Sequence, residues 1–207
     1  MRMFDSVVIG ASDETLDQAL AIRGALELFR LRVHLYLLCQ KRNLLDLLAG
    51  KIPEAEYVVL CCHGCSDPDG QGGWTDRVGL RFHGLVDEVQ GKWEAVTAEL
   101  PPEVIRQVVS LPGRTVIATG CRNGVEPVAR AFLDAGCRAY MGAVDFVDQD
   151  SGPLFTIAFF YHLLRHETDP RVQYTDEEAA RLAASLDTAS QEGTHLFRYY
   201  SAEAPTP

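Results

Sequence analysis

The sequence is short of basic residues: 19 lysines and arginines stand against 29 aspartates and glutamates, a formal net charge of −10. A surface of this charge would repel the phosphates of nucleic acids and the headgroups of anionic lipids. We therefore expect no nucleic acid and no membrane among the partners. A basic peptide is compatible with this charge balance.

The sequence also lacks long apolar runs, since none approaches the roughly 20 residues that a membrane helix requires. It shows no secretory signal, because Met1 leads directly into the strand-like segment Phe4 to Ile9. Its six cysteines do not recur at regular loop positions, and several lie within strand-like apolar runs. This usage predicts reduced thiols and a cytoplasmic protein.

Two common ligand-binding patterns are incomplete. The turn Gly10-Ala11-Ser12-Asp13 lacks the glycine-rich fingerprint that binds phosphate. Cys62 and Cys65 are spaced like two zinc ligands, but no second pair completes a tetrahedral site. Cys61 and Cys62 would also point to opposite faces of a strand. We expect no metal and no cofactor.

The hydrophobic content is 47% over 207 residues, which is enough for one substantial core. Strand-like segments are predicted at Phe4 to Ile9, Val33 to Cys39, Tyr57 to Cys62, Arg114 to Ala118 and Ala139 to Val144, with a small hairpin over Gly79 to Val86. Helices are predicted at Glu14 to Arg30, Leu44 to Leu48, Pro101 to Val109, Val125 to Ala135, Gly152 to Arg165 and Thr175 to Leu186. Thr175 and Glu178 have the spacing of a capping box.

This alternation of strands and helices is typical of an α/β fold with a mostly parallel sheet and helices on both faces. No linker or internal repeat divides the chain. We expect a single domain over residues 1–201 and a frayed tail over residues 202–207.

Two apolar strands end in residues of catalytic character. Tyr57 to Cys62 is followed by His63 and Gly64, and Arg114 to Ala118 leads to Cys121. The carboxyl ends of parallel strands share one edge of a sheet, where ligands bind. An imidazole and a thiol brought together there would suit a Cys-His nucleophilic site.

These features resemble the caspase-like cysteine peptidases, the group of caspases, metacaspases, gingipains and separases, and most nearly their bacterial CHAT branch. The resemblance covers roughly residues 57–165. It includes the His63-Gly64 pair, Cys121 shortly before Gly124, and the segment Ala135-Gly136 to Gly142. The 58 positions from His63 to Cys121 compare with about 50 in caspases. The resemblance implies a caspase-like three-layer sandwich.

The same resemblance implies roles for individual residues. Cys121 would be the nucleophile and His63 the general base and acid of a peptidase that forms a thioester acyl-enzyme. The backbone N–H groups of Gly64 and Cys121 would stabilise the oxyanion. A peptide or protein is then the expected substrate, with a separate regulatory protein as a further partner.

Substrate specificity in caspase-like enzymes draws on three loops, which the resemblance places at Asp13, Thr119, and Asp145 or Asp148. Carboxylates at these positions would pair with an arginine or lysine before the scissile bond. We therefore expect cleavage after basic residues.

Two alternatives stay open. The sequence around Cys121, Thr119-Gly120-Cys121-Arg122-Asn123-Gly124, departs from the caspase signature Gln-Ala-Cys-Arg-Gly, so the domain would also suit a catalytically silent interaction module. A doubly wound domain that binds a nucleotide or another small ligand at the same sheet edge is the second alternative.

Overall fold

A computed structural model describes residues 6–66, 73, 75–165, 169, 172–186 and 195–202 of the protein. The strands in these residues are β1 (Ser6–Ala11), β2 (Arg32–Leu37), β3 (Tyr57–Cys61), β4 (His63–Gly64), β5 (Leu80–Val89), β6 (Lys92–Leu100), β7 (Thr115–Ala118), β8 (Ala139–Ala143) and β9 (Phe197–Ser201). Six of them form the main sheet, in the order β2-β1-β3-β7-β8-β9. Strand β9 is antiparallel to β8, and the other neighbours in this sheet are parallel.

Helices cover both faces of the main sheet. They are α1 (Leu16–Leu28), α2 (Lys41–Leu48), α3 (Pro102–Val108), α4 (Glu126–Asp134), α5 (Ser151–Leu163) and α6 (Asp176–Ala184), with a short 3₁₀ turn at Asp13–Thr15 before α1. Residues of α1, α5 and α6 share one apolar core with the sheet, and residues of α2, α3 and α4 share the other.

Alternation along the buried strands creates these two cores. In β1, Val7 and Ile9 face the α1 side while Val8 faces the α2 side. Cys61 and Cys62 likewise belong to opposite cores, as their adjacent positions predict. The α/β fold class with helices on both faces of a mostly parallel sheet is thus confirmed.

The hairpin is larger than the small one predicted over Gly79 to Val86. Strands β5 and β6 pair from Leu80 and Leu100 to Val89 and Lys92 with a register shift between Phe82 and Leu85, and Gln90 and Gly91 connect them with φ angles of 51° and 78°. Two consecutive positive φ angles are what a tight two-residue hairpin turn requires. Prediction missed β6 because most of its residues are exposed and form no apolar run.

The hairpin has a direct consequence for the candidate site. Strand β4 pairs with β5 rather than with the main sheet, placing His63 opposite Arg81 and Gly64 opposite Leu80. The chain therefore leaves the main sheet after Cys61 and enters a second, three-stranded sheet at His63.

The end of the described chain also differs from expectation. Strand β9 was not predicted, and it adds an antiparallel edge to β8. The Ala202 N–H donates to the carbonyl of Arg138 at 3.0 Å, so the first residue of the predicted tail is hydrogen-bonded. Residues 203–207 of that tail, and residues 67–72 of the predicted polar loop, lie outside the described residues.

At the amino-terminal edge of the main sheet, Asp176 connects helix α6 to the strands. Its carboxylate accepts hydrogen bonds from the hydroxyls of Tyr57 and Thr115, at 2.7 and 3.1 Å, and from Arg138 at 3.1 Å. The predicted capping box of Thr175 and Glu178 is confirmed, with Thr175 directly before the first residue of α6. No helix within the described residues is long and apolar enough to cross a membrane.

Candidate active site

A cavity of about 350 Å³ lies at the carboxyl edge of the main sheet. It is lined by Glu14, Gln18, Cys62, His63, Thr119, Gly120, Cys121, Val147, Asp148 and Gln149. Each group of lining residues follows the carboxyl end of one parallel strand: β1, β3, β7 or β8. This is the edge at which open parallel sheets bind their ligands.

Cys121 lies three residues beyond the end of β7 and is partly exposed. Its Sγ is 3.5 Å from both the backbone nitrogen and the backbone oxygen of Val147. The next residue, Arg122, has a φ of 52°, and its N–H donates to the carbonyl of Asp145 at 3.0 Å. The loop after β8 therefore holds the thiol at the cavity wall.

His63 presents its imidazole to the same cavity, with 45% of its side chain exposed. Nε2 is 3.6 Å from a carboxylate oxygen of Glu14, and the His83 ring lies 5.5 Å away between centroids. Burial lowers the pKa of His63 below 6.5; His83 and Arg81 lower it further, while Glu14 opposes them. The ring is therefore neutral near pH 7, the form that accepts a proton.

The thiol and the imidazole share the cavity without a hydrogen bond between them. Among the described residues, Nε2 of His63 has no hydrogen-bond partner, and the recorded contacts of the Cys121 thiol are with Val147. Catalytic contacts are often loose in a ligand-free site and tighten when substrate binds.

Glycines bring the two strand ends into direct contact. A Cβ on Gly64 would lie 2.1 Å from the carbonyl oxygen of Cys121, and one on Gly120 would lie 2.8 Å from the carbonyl carbon of His63. Both distances are shorter than real contacts allow. Close approach, rather than a positive φ, is thus the reason for glycine at position 64.

Four of the other five thiols are buried, unlike the partly exposed Cys121. Burial raises the pKa of Cys61 and of Cys137 to about 12 and also raises the pKa values of Cys62 and Cys65. These four are buried, whereas Cys39 is exposed. A thiol reacts as its thiolate, so the buried four are poor nucleophiles.

The residues predicted to bind substrate are only partly brought together. Thr119 and Asp148 line the cavity, but the Thr119 hydroxyl already donates to Gln18 at 3.1 Å. Asp13 and Asp145 are not among the lining residues. The Asp145 carboxylate instead accepts the N–H of Phe146 at 2.8 Å, within its own loop.

Sequence reasoning missed several residues of the cavity wall, notably Glu14, Gln18 and Val147. Glu14 and Gln18 belong to the segment that follows β1, whose carboxyl end meets the same edge. Strand order would have indicated the segment, although not which of its side chains faces the cavity. His83 became a neighbour of His63 only through the pairing of β4 with β5.

The arrangement supplies a thiol, a neutral imidazole and two carboxylates, from Glu14 and Asp148, around one small cavity. These groups suit nucleophilic chemistry on a carbonyl compound that carries a cationic side chain. Among the described residues, no group of three or more histidine, cysteine, aspartate or glutamate side chains is placed to hold a metal ion.

No family model matches the chain, and no curated protein matches it. Among solved structures, the chain is similar to the separase–securin complex of Saccharomyces cerevisiae, with a TM-score of 0.56 and 10% identity. The match covers 97% of this chain and 12% of the separase chain. A flavodoxin of Streptococcus pneumoniae TIGR4 matches over 88% of this chain and 99% of its own at 13% identity, but its TM-score of 0.34 supports no inference.

The likeness to separase identifies the fold as a caspase-like three-layer sandwich. At 10% identity it concerns the fold alone. The chain corresponds to about an eighth of the separase chain, so it is similar to one part of a much larger protein.

Proposed function

We propose that the protein is a cysteine peptidase of the caspase-like group, with Cys121 as nucleophile and His63 as general base. The observation that carries this proposal is the cavity at the carboxyl edge of the main sheet, which Cys121 and His63 both line. Strands β3 and β7 are parallel neighbours, so the two residues emerge side by side.

In the proposed reaction, His63 takes the proton of the Cys121 thiol, and the sulfur attacks the carbonyl carbon of the substrate peptide bond. The oxyanion forms next to the backbone N–H groups of Gly64 and Cys121. The carbon–nitrogen bond then breaks, and His63 gives its proton to the leaving amine. Water attacks the thioester with His63 again as base, which releases the acid and regenerates the thiol.

For specificity, we propose that Asp148 and Glu14 bind the arginine or lysine side chain before the scissile bond. Both carboxylates line the cavity, and Glu14 approaches Nε2 of His63 at 3.6 Å, so a cation bound by Glu14 would lie beside the proposed base. This proposal replaces Asp13 by its neighbour Glu14 and sets Asp145 aside, because Glu14 lines the cavity whereas Asp13 and Asp145 do not.

The proposal extends to the setting of the enzyme. Because the sequence resembles the CHAT branch, we propose that the protein belongs to that branch. A cytoplasmic location follows from the predicted reduced thiols. The separase–securin complex is an association of two proteins, so a separate protein regulator is proposed here as well.

Alkylation of the purified protein by iodoacetamide tests the nucleophile. At mildly acidic pH, we expect Cys121 to react at least about 10-fold faster than the exposed Cys39, which serves as the internal standard of an unactivated thiol. His63→Ala should remove this difference. Peptide mapping by mass spectrometry measures both rates, and equal rates in the unmodified protein would contradict an activated thiol.

Cleavage of a peptide library tests the activity and its specificity. We expect cleavage after arginine and lysine, abolished by Cys121→Ala and reduced about 10-fold in kcat/KM by Asp148→Asn. Asp17→Asn is the matched control: Asp17 is exposed on α1 outside the cavity, so the same charge is removed at a place where it binds nothing. Preferred cleavage after aspartate would overturn the specificity.

A catalytically silent interaction module is the second candidate. It is favoured by one observation: the Cys121 thiol contacts the backbone of Val147 instead of the His63 ring. The alkylation experiment separates the two candidates, because a silent module predicts equal rates at Cys121 and Cys39.

A further inference from the structure

A second cavity, of about 760 Å³, runs along the outer side of helix α5. We call it the α5 groove. Its floor consists of Leu154, Ile157 and Tyr161, and Phe29, Leu186 and Phe197 contribute to its walls. Leu154 is 60% exposed and Tyr161 is 47% exposed.

Helix α5 is apolar on all sides. Phe155, Phe159 and Phe160 pack into the core beneath it, yet the outward residues of the groove are apolar too. Helices that are hydrophobic all round are normally buried. The outward face of α5 is therefore suited to a partner that covers it.

The groove adjoins the candidate active site. Asp148 lines both cavities, so the end of the groove at the start of α5 is adjacent to the cavity of Cys121. Asp150 also lies at this end, and together the two carboxylates make it acidic. A bound segment would thus meet negative charge near the thiol and apolar surface farther away.

We propose that the α5 groove is a docking site for the substrate itself, and that it binds apolar side chains at one side of a basic residue placed in the Cys121 cavity. This inference rests on the proposed peptidase function. Charge favours a basic substrate over a second copy of this chain, because the net charge of −10 would oppose the pairing of two acidic molecules.

The length of the groove defines the spacing of the apolar side chains. Leu154 and Tyr161, the two ends of the floor, are seven residues apart on a helix, a separation of about 10 Å. An extended peptide rises about 3.3 Å per residue, so about three residues span this distance. Two apolar residues about three positions apart would therefore reach both ends of the floor.

Two kinds of peptide of about 12 residues test the docking site, each containing one arginine in a glycine–serine background. The first kind has two leucines about three positions apart, both before the arginine in one version and both after it in another version. The second kind has no leucine. Binding is measured by fluorescence anisotropy with the full chain carrying Cys121→Ala, which cannot turn over the peptide. We expect one leucine version to bind about 10-fold tighter than the leucine-free peptide.

Replacing Leu154 and Tyr161 together by alanine should remove this preference. Both side chains are substantially exposed, so their truncation leaves the core intact. Leu20→Ala is the matched control, because Leu20 is 47% exposed on α1 and does not line the groove. We expect it to preserve the preference, and an unchanged preference in the double variant would overturn the docking site.

The outcomes separate this inference from the proposed function. Tighter binding of a leucine peptide without any cleavage by the unmodified protein would retain the docking site and reject the peptidase. Cleavage of both peptides with equal kcat/KM would retain the peptidase and reject the docking site. Self-association that is lost in the double variant, measured by sedimentation, would assign the groove to a second copy and overturn the inference.

Discussion

Gly64 is the residue on which the contact between the strand ends that carry His63 and Cys121 depends most directly. Its replacement by alanine would place a Cβ 2.1 Å from the Cys121 carbonyl oxygen, a backbone atom with little freedom to move. We expect Gly64→Ala to displace Cys121 and to lower kcat/KM at least about 10-fold. Overpacking of this kind should also cost about 1–3 kcal/mol of stability in urea unfolding.

Gly24→Ala is the control for that prediction. Gly24 lies within α1, and a Cβ there would meet no atom within 4 Å. Alanine is the better helix former, so this variant should be as stable as the parent or up to about 1 kcal/mol more stable. Equal behaviour of the two variants would contradict the close contact at Gly64.

The environment of His63 predicts the pH dependence of activity. The pKa of His63 is lowered, so the acidic limb of kcat/KM should have its midpoint below pH 6.5. His83→Ala removes the neighbouring ring that lowers the pKa of His63 and should move the midpoint to higher pH. Glu14→Gln removes a carboxylate that favours the protonated ring, and should move it to lower pH.

The opposite signs of these two shifts are the critical result. Both substituted residues contact the ring or approach it closely, so a merely structural disturbance would shift the midpoint in one common direction or not at all. Such a result would show that charge at Glu14 and His83 does not control His63.

At the residue level, sequence reasoning predicted that His63 and Cys121 would lie at one edge of the sheet, which the shared cavity confirms, because strand ends and flanking glycines are visible in the sequence. Their catalytic roles stay a prediction. Sequence reasoning missed Glu14 and His83. Their position beside His63 depends on how a turn faces the sheet edge and on the pairing of β4 with β5. Neither is encoded in local periodicity.

Among the elements, helix α6 packs into the apolar core through four alanines and is also joined to the amino-terminal edge of the main sheet by one side chain, Asp176. The Asp176 carboxylate, 14% exposed, is the common acceptor for two hydroxyls and one guanidinium. We expect Asp176→Ala to lower the free energy of unfolding by about 2–3 kcal/mol, since it leaves these donors without their acceptor. Urea unfolding measures the change.

Glu177→Ala is the control for Asp176→Ala. Glu177 is an exposed acidic residue in the same first turn, so it has a similar interaction with the helix dipole but lacks the contacts of Asp176. Its replacement should change stability by about 0.5 kcal/mol or less. Comparable losses for both variants would indicate that the dipole, and not the hydrogen-bond network, stabilises α6.

Elements with strong periodicity were predicted well, whereas the edge strands β6 and β9 were not. The inner parallel strands β1, β3, β7 and β8 are largely apolar and buried on both faces, and the capping box of Thr175 and Glu178 marks a helix start. Strands β6 and β9 lie at edges, where half of each strand is polar. These two segments become strands because they pair with β5 and β8, and the local sequence does not specify that pairing.

For the whole molecule, the excess of acidic residues predicts a salt-dependent rate. The net charge of −10 should attract cationic substrates at low ionic strength, where the Debye length is about 30 Å at 0.01 M. We expect kcat/KM for an arginine peptide with several flanking lysines to fall several-fold when salt is raised to 0.15 M. The same peptide with serines in place of the lysines should respond much less.

Equal salt sensitivity of the two peptides would show that attraction by the whole molecule is negligible and that only charges inside the cavity act on the substrate.

The overall architecture itself was predictable from the order of strands and helices. The relative arrangement of its two sheets was not, because it depends on contacts between segments far apart in the chain.

The change of sheet at Cys62 has a consequence for how such a site works. The thiol is carried by the main sheet and the imidazole by the smaller one, so the distance between them is not a property of either sheet alone. The two sheets meet where Gly64 contacts the backbone of Cys121 and where Gly120 contacts the backbone of His63. These contacts determine how the sulfur is aligned with the ring. A small rotation of the hairpin would therefore change the distance between the sulfur and the ring while both side chains stay in place.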